Sequence, residues 1–371
     1  VATWPAAARL IATPARKRYK DRRPIVDAEE PTMSLIVRLL VSFAAALPWV
    51  TPPASAADLV VGTEAVEAAL QRGAIVWDVR PEEDYRKGHV PGAVNIDDIL
   101  VQLRDAKSED YLPVREIEKL LGEAGIDPSR EIVLYGAKAS TGPYFGLITL
   151  EWLGGDRVSV YHGGIDDWKA AGKAVATEPT RLPAVSLRFA PREALLVSTR
   201  ELLARLDDPD VQIVDARTAR EFDGDDIRAL RGGHIPRAVN IPYESNWVDP
   251  DTPRKLARKQ VSSKDGFNLK SPDELQALYG ALDPEKETIV YCQSGVRASY
   301  TATMLQALGF RKVRVYDSSW LAYGNQLDAP AESVSYFNVA RVNGLLNTLQ
   351  ARIDDLEAEI AEVKKAQGAR Q

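Results

Sequence analysis

The sequence predicts an α/β protein made of two copies of one parallel-sheet unit, each sheet flanked by helices, with a separate helix at the C-terminal end. Three observations carry that reading. First, IVWDVRPEEDYRKGHVPGAVNI at 75–96 returns as IVDARTAREFDGDDIRALRGGHIPRAVNI at 213–241, and EIVLYGAKASTGPYFGLITLEWLGGDRVSVYHGG at 131–164 aligns with TIVYCQSGVRASYTATMLQALGFRKVRVYDSS at 288–319. Second, short β-branched runs alternate with helical stretches, as in 63–71 before Ile75 and 199–206 before Ile213, which calls for a mainly parallel sheet covered by helices. Third, Val339, Val342, Leu346, Leu349, Ile353, Leu356, Ile360 and Val363 follow an unbroken 3-4 spacing with charged residues between them, the seam of a coiled coil.

Taken in order, the chain of 371 residues has 45% hydrophobic and 27% charged content, enough for two domains, and its net charge of −6 leaves no electrostatic footprint for nucleic acid. Residues 1–32, rich in Pro, Ala and Arg, read as an upstream segment that is disordered or not translated. Residues 33–56 read as a signal peptide: one early arginine, an apolar stretch from Leu35 to Leu47 and small residues Ala54, Ser55 and Ala56, with cleavage before Ala57 and export to the periplasm. The first copy then occupies 57–178, a Pro-containing linker 179–192, the second copy 193–335 and the coiled-coil helix 336–371. Self-association into a homo-oligomer through 339–363 follows from the seam; the competing reading is an amphipathic helix folded back on its own domain.

The chemistry is concentrated in IVYCQSGVRASYTATM, residues 289–304. Ile289, Val290 and Tyr291 suit a buried strand, while Ala298, Ala302, Leu305 and Leu308 put one apolar face on a following helix, so Cys292 stands where strand becomes helix. The helix start and the N–H groups of Gln293, Ser294, Gly295, Val296, Arg297 and Ala298 favour a thiolate, or another anion carried on that sulfur, and Arg297 adds a positive charge. Gly295 lets the backbone bend closely. A lone cysteine in an apolar run is otherwise a small buried hydrophobe, but glycine, serine and arginine directly behind it serve no packing need. The spacing C-x4-R is one residue tighter than the C-x5-R of phosphate-handling cysteine enzymes, a cradle better suited to sulfane sulfur. With one cysteine no intramolecular disulfide can form, and three dispersed histidines give no metal-ligand spacing.

CQSGVRA resembles the active-site loop of the rhodanese sulfurtransferases, and the two copies resemble their tandem members over about residues 58–330. The resemblance implies two rhodanese-like domains and a cysteine that takes sulfur from thiosulfate or a similar donor as a persulfide and passes it to cyanide or a thiol, with no metal or organic cofactor. It also implies an inactive first half, because Gly136, Ala139 and Thr141 stand opposite Cys292, Gly295 and Arg297. YDSSWLAYGN at 316–325 is similar to the family's end-of-domain segment, with Trp320 either packing or lining the cleft.

Arg217 is a candidate substrate contact, set against a bracing role with Asp215 that the recurrence of both as Asp78 and Arg80 favours. His89 and His234 recur in the same way and read as structural. Tandem members often carry an arginine where this chain has Glu221, so a replacement charge is sought in the insert 222–233, at Arg228 or Arg231. Two further readings use the same residues: a non-catalytic periplasmic sulfur carrier or redox-sensing binding module built on Cys292, and an assembly protein built on the coiled coil.

Overall fold

The computed structural model describes residues 59–368, all within one compact unit; the upstream segment and the signal pattern lie outside them. In the first copy, strands β1 (Val60–Val61), β2 (Ile75–Asp78), β3 (Ile132–Tyr135) and β4 (Val158–Tyr161) alternate with helices α1 (Thr63–Gln71), α2 (Glu82–Arg86), α3 (Ile99–Gln102), α4 (Val114–Glu123), α5 (Gly142–Trp152) and α6 (Gly164–Ala170). The second copy holds β5 (Val211–Asp215), β6 (Arg231–His234), β7 (Ala238–Asn240), β8 (Glu287–Tyr291), β9 (Val313–Val315) and β10 (Glu332–Tyr336). Its helices are α7 (Thr199–Ala204), α8 (Ala219–Phe222), α9 (Thr252–Ala257), α10 (Pro272–Leu278), α11 (Val296–Ala307) and α12 (Ser319–Tyr323), and α13 (Val339–Gly368) follows.

The two sheets have one topology. The first runs β1-β4-β3-β2 with a parallel bridge from Trp77 to Val94 beyond β2, and the second runs β7-β5-β8-β9 with a parallel bridge from Val315 to Leu196 beyond β9. With the second order reversed, the five positions correspond one for one. Both sheets are wholly parallel, and their central strands are apolar without alternation, as in IVLY and TIVY, because helices cover both faces. The second copy adds an antiparallel ribbon of β6 with β10, so its last strand ends at Tyr336, one residue beyond the expected domain edge, and α13 begins at Val339.

Each copy is held at the strand end by the same brace. The Arg217 guanidinium lies on Asp215 through two short bonds (Nε–Oδ1 3.0 Å, NH2–Oδ2 2.6 Å) and donates to the Gly233 carbonyl at 2.7 Å. Arg80 does the same to Asp78 and the Gly88 carbonyl. Asn240 then spans the carbonyls of Asp215 and Arg217, as Asn95 spans those of Asp78 and Arg80. These contacts account for the repeated Asp-x-Arg and Ala-Val-Asn-Ile. His234 stacks on Phe222 and meets its carbonyl, and His89 stacks on Tyr85 in the same manner.

One apolar cluster runs through both copies, from Ile75 and Leu134 to Val290 and Leu305, with Cys292 among its members. Where α5 meets α11, the rings of Tyr144 and Tyr300 lie 3.9 Å apart. His162 bridges the copies: Nε2 faces the Phe267 carbonyl at 2.8 Å and Nδ1 the Tyr144 hydroxyl at 2.7 Å. Burial lowers its pKa to about 4, so the ring is neutral, donating to the carbonyl and accepting from the phenol. The linker at 179–192 forms no helix or strand and lies along α4, where the Gly122 carbonyl accepts the Val185 N–H and a Cβ at Gly122 would come within 2.6 Å of the Val185 carbonyl. No helix among the described residues is long and apolar enough to cross a membrane.

The brace predicts a sharp asymmetry in stability. Arg217→Ala strands Asp215, which is fully buried, and is expected to cost roughly 3–5 kcal/mol; Arg80→Ala, where the side chain already reaches solvent, should cost less. Urea unfolding midpoints of the two variants measure this, and equal losses would contradict it.

Candidate active site

Cys292 directly follows β8 and is 1% exposed. Each carbonyl from Cys292 to Gly295 is bonded, the first three by distant segments and the last by the helix that follows. The Cys292 carbonyl accepts the Trp320 N–H at 3.0 Å and the Gln293 carbonyl the Leu321 N–H at 2.8 Å. Arg104 of the first copy donates to the Ser294 carbonyl at 2.6 Å, and Ser299 donates to the Gly295 carbonyl through both its N–H and its hydroxyl. Ser319 closes the loop from the other side: its Oγ accepts the N–H groups of Cys292 (3.0 Å) and Gly295 (3.1 Å) and donates to the Tyr316 carbonyl.

Five N–H groups remain. Those of Gln293, Ser294, Val296, Arg297 and Ala298 meet no acceptor among the described residues, the last three because they open α11 and have no preceding turn to bond. Successive free N–H groups beside a sulfur form a nest for an anion. The structure thus gathers Cys292 and all six loop residues from Gln293 to Ala298, with one correction. Gly295 contributes shape and no donor, since its N–H belongs to Ser319; its φ of 80° and the overlap a Cβ would make with Asp317 Oδ1 explain the glycine.

Arg217 is a second correction. At 1% exposure, with Nε and NH2 committed to Asp215 and Gly233 and the guanidinium packed 4.6 Å above the Trp320 ring, it takes the bracing role and has almost no surface to offer a substrate. Trp320 is fully buried and donates to the Arg231 carbonyl, so it packs and does not line the cleft. Arg231 is likewise buried against the carbonyls of Tyr323 and Gln326. Arg228 does reach the site: its carbonyl receives Gln293 Nε2 at 2.8 Å, and its guanidinium lies 3.3 Å from Glu221.

The residue that sequence reasoning missed is Glu221 itself. It takes Arg297 in a two-pronged pair at 2.7 and 2.8 Å while its Oε2 also receives the Thr218 N–H in a capping box at the start of α8. Burial alone would raise this carboxyl; the hydrogen bonds and charge of Arg297 outweigh it and bring it down to about 2. Arg297 is held charged by Glu221 and by the proximity of Cys292, against the opposing effect of burial. The signal was present in the first copy, where Asp84 occupies the matching place. Asp317 was also missed: burial raises it to about 7, Arg104 works against that and Asp110 adds to it, and its Oδ1 has no partner among the described residues. Tyr243 and Glu244 lie close enough to Arg297 and Glu221 to feel their charges, and both are pushed upward chiefly by burial.

The first copy keeps the loop's frame without its chemistry. Ala139 has φ 61° where Gly295 has 80°, and Gly164 has φ 54° where Ser319 has 49°. The Ile165 N–H meets the Gly136 carbonyl as Trp320 meets that of Cys292. A Cβ at Gly136 would lie 2.5 Å from Ser140 Oγ, so the space for a nucleophile's side chain is filled.

A buried strand-end cysteine in a tethered loop of free N–H groups, on one of two like domains, defines a sulfur-handling enzyme class. The family model for the rhodanese-like domain matches residues 63–171 and again 198–326, and the chain belongs to that family, as a two-domain sulfurtransferase. It is 33% identical over 261 residues to the thiosulfate sulfurtransferase of Corynebacterium glutamicum, covering 67% of this chain and 81% of that one. It is 31% identical over 293 residues to the thiosulfate sulfurtransferase of Azotobacter vinelandii, covering 78% of this chain and 98% of that one. Among solved structures, the anaerobic ergothioneine biosynthesis enzyme from Chlorobium limicola aligns with a TM-score of 0.63 at 23% identity, covering 74% of this chain and 70% of that one, a likeness of fold.

The Glu221–Arg297 pair makes stability depend on acid. Because the folded carboxyl sits near 2, below its usual value of 4.5, the pair's contribution is complete above about pH 4.5 and is lost as pH falls towards 2. The carboxyl's net shift, to which the Thr218 hydrogen bonds also contribute, corresponds to about 3 kcal/mol. Glu221→Gln should therefore unfold earlier at pH 7 and show a flatter stability profile between pH 4.5 and 2; a profile parallel to the parent chain would refute the assignment.

Proposed function

We propose that the chain moves sulfane sulfur from thiosulfate or a similar donor to cyanide or a thiol through a persulfide on Cys292, and that it does so after export to the periplasm. The observation that carries the chemistry is the set of five unpaired N–H groups beside a buried cysteine. The named activity of the curated relatives supports the donor, and the signal pattern at 33–56 supports export.

The Cys292 thiolate attacks the outer sulfur of thiosulfate; the new S–S bond forms as the old one breaks, and sulfite leaves with the bonding electrons. The resulting persulfide ends in an anionic sulfur, to which the N–H groups of Gln293, Ser294, Val296, Arg297 and Ala298 are offered. An acceptor thiolate or cyanide then attacks that outer sulfur and returns Cys292 as thiolate. The backbone provides the principal donors, since the Arg297 charge is shared with Glu221. Loop N–H groups already held in place need no reorganisation when the charge arrives.

The decisive experiment follows thiocyanate formed from thiosulfate and cyanide by the parent chain and by Cys292→Ser. Turnover should vanish in the variant, and the parent incubated with thiosulfate alone should gain the mass of one sulfur atom. Undiminished turnover in Cys292→Ser would overturn the proposal; a stable sulfur adduct without turnover would favour the carrier reading. Gly295→Ala, which forces the loop away from Asp317, is expected to lower kcat/KM about 100-fold, with the circular dichroism spectrum retained.

A further inference from the structure

The helix α13 extends for 30 residues, about 45 Å, and its apolar seam is bare. Val339, Leu346, Leu349, Ile353, Leu356, Ile360 and Val363 are 40–59% exposed, so the helix is not folded back on either domain. Gly344, the glycine in the helix interior, falls on the outward side of the heptad with open space around it. A membrane surface is a poor occupant for this stripe, because the residues between 339 and 365 include five Asp or Glu against four Lys or Arg. The charges instead complement a second copy of the same helix.

We infer that α13 joins two chains as a parallel, in-register, two-stranded coiled coil, which places both catalytic domains at the same end. The 3-4 spacing assigns Val339, Leu346, Ile353 and Ile360 to position a, and Val342, Leu349, Leu356 and Val363 to position d. Three of the four a positions, Val339, Ile353 and Ile360, are β-branched and the central d positions, Leu349 and Leu356, are leucine, the pattern that favours two parallel strands, with Leu346 the exception. Position g is then held by Leu345, Arg352 and Glu359, and position e by Asn343, Gln350, Glu357 and Lys364. In a parallel pair each g residue meets the next e residue of the other helix, so Arg352 faces Glu357 of the partner subunit and Glu359 faces Lys364 of the partner subunit. Symmetry repeats both pairs, and all four contacts are attractive.

The antiparallel alternative fails on the same residues. With the seam fully overlapped, Arg352 would face Arg352 of the partner subunit, and neither attractive pair would form. The parallel arrangement also has a consequence for the enzyme. Strand β10 is bonded to β6, which ends the insert carrying Arg228, and only Phe337 and Asn338 separate β10 from α13. Both insert-bearing domains therefore start from the head of the coil. The inference is independent of the sulfur chemistry.

Sedimentation equilibrium of the full chain should give twice the chain mass, falling to one chain mass in the double variant L349D and L356D, whose side chains are solvent-exposed in the single chain. Arg352→Glu should weaken association at least tenfold, and adding Glu357→Arg should restore it. Orientation is read by oxidation in a Cys292→Ser background: Val342→Cys and Val363→Cys should each cross-link to themselves in a parallel dimer. A monomer, a trimer, a dimer that survives L349D with L356D, or a dimer in which neither cysteine cross-links with itself would each overturn the inference.

Discussion

The pairing of Arg217 with Asp215 is the constraint on which the catalytic half is assembled. The cost of burying a guanidinium and carboxylate this close is offset by their neighbours: the Gly233 carbonyl takes a further N–H, and the Trp320 and Tyr291 rings pack against the guanidinium. Those neighbours are the loop's own supports. Tyr291 is the residue before Cys292 and receives the Ile235 N–H, while the Trp320 N–H holds the Cys292 carbonyl. The charge pair therefore contributes less as a free-energy term than as a fixed point from which strand end, insert and loop are registered.

From that point the loop is shaped by where its carbonyls go. Each peptide carries a donor and an acceptor, so with the carbonyls of residues 292–295 bonded, the N–H groups that Ser319 does not take are the loop's unclaimed hydrogen-bonding capacity. The first copy takes part in this. Arg104 holds the Ser294 carbonyl and Asp110 accepts the Ser318 hydroxyl at 2.7 Å, so a domain without a nucleophile still stabilises the shape of the one that has it. Its retained strand-end brace and lost cysteine are two sides of that role.

Charge at the site is more balanced than a cysteine followed by arginine suggests. Arg297 is paired with Glu221, and Arg228 approaches the same carboxylate from the insert. Asp317, pressed behind Gly295 with its pKa raised to about 7, adds no full negative charge in neutral solution. An anionic sulfur would therefore meet mainly peptide dipoles, with one cation whose position is fixed by its partner.

The sequence alone determined the duplication, the parallel-sheet class, the strand-to-helix placement of Cys292 and the absence of a matching cysteine and arginine in the first copy, where Gly136 and Thr141 stand, because each depends on local pattern repeated along the chain. It also indicated that Asp-x-Arg recurs where no reaction occurs, which pointed to the bracing role that buried Arg217 and Arg80 have. The heptad seam of α13 was equally legible, since its spacing is a property of one helix, whereas its exposure came from the structure, which leaves it packed on neither domain. What only the tertiary structure decided were the partnerships between distant segments: Glu221 with Arg297, Ser319 with the N–H groups of Cys292 and Gly295, Arg104 with Ser294, and Trp320 as a packed support. Those choices depend on which side chains converge when two sheets pack, and a charged or hydroxyl side chain carries no mark in the sequence of the group it will meet.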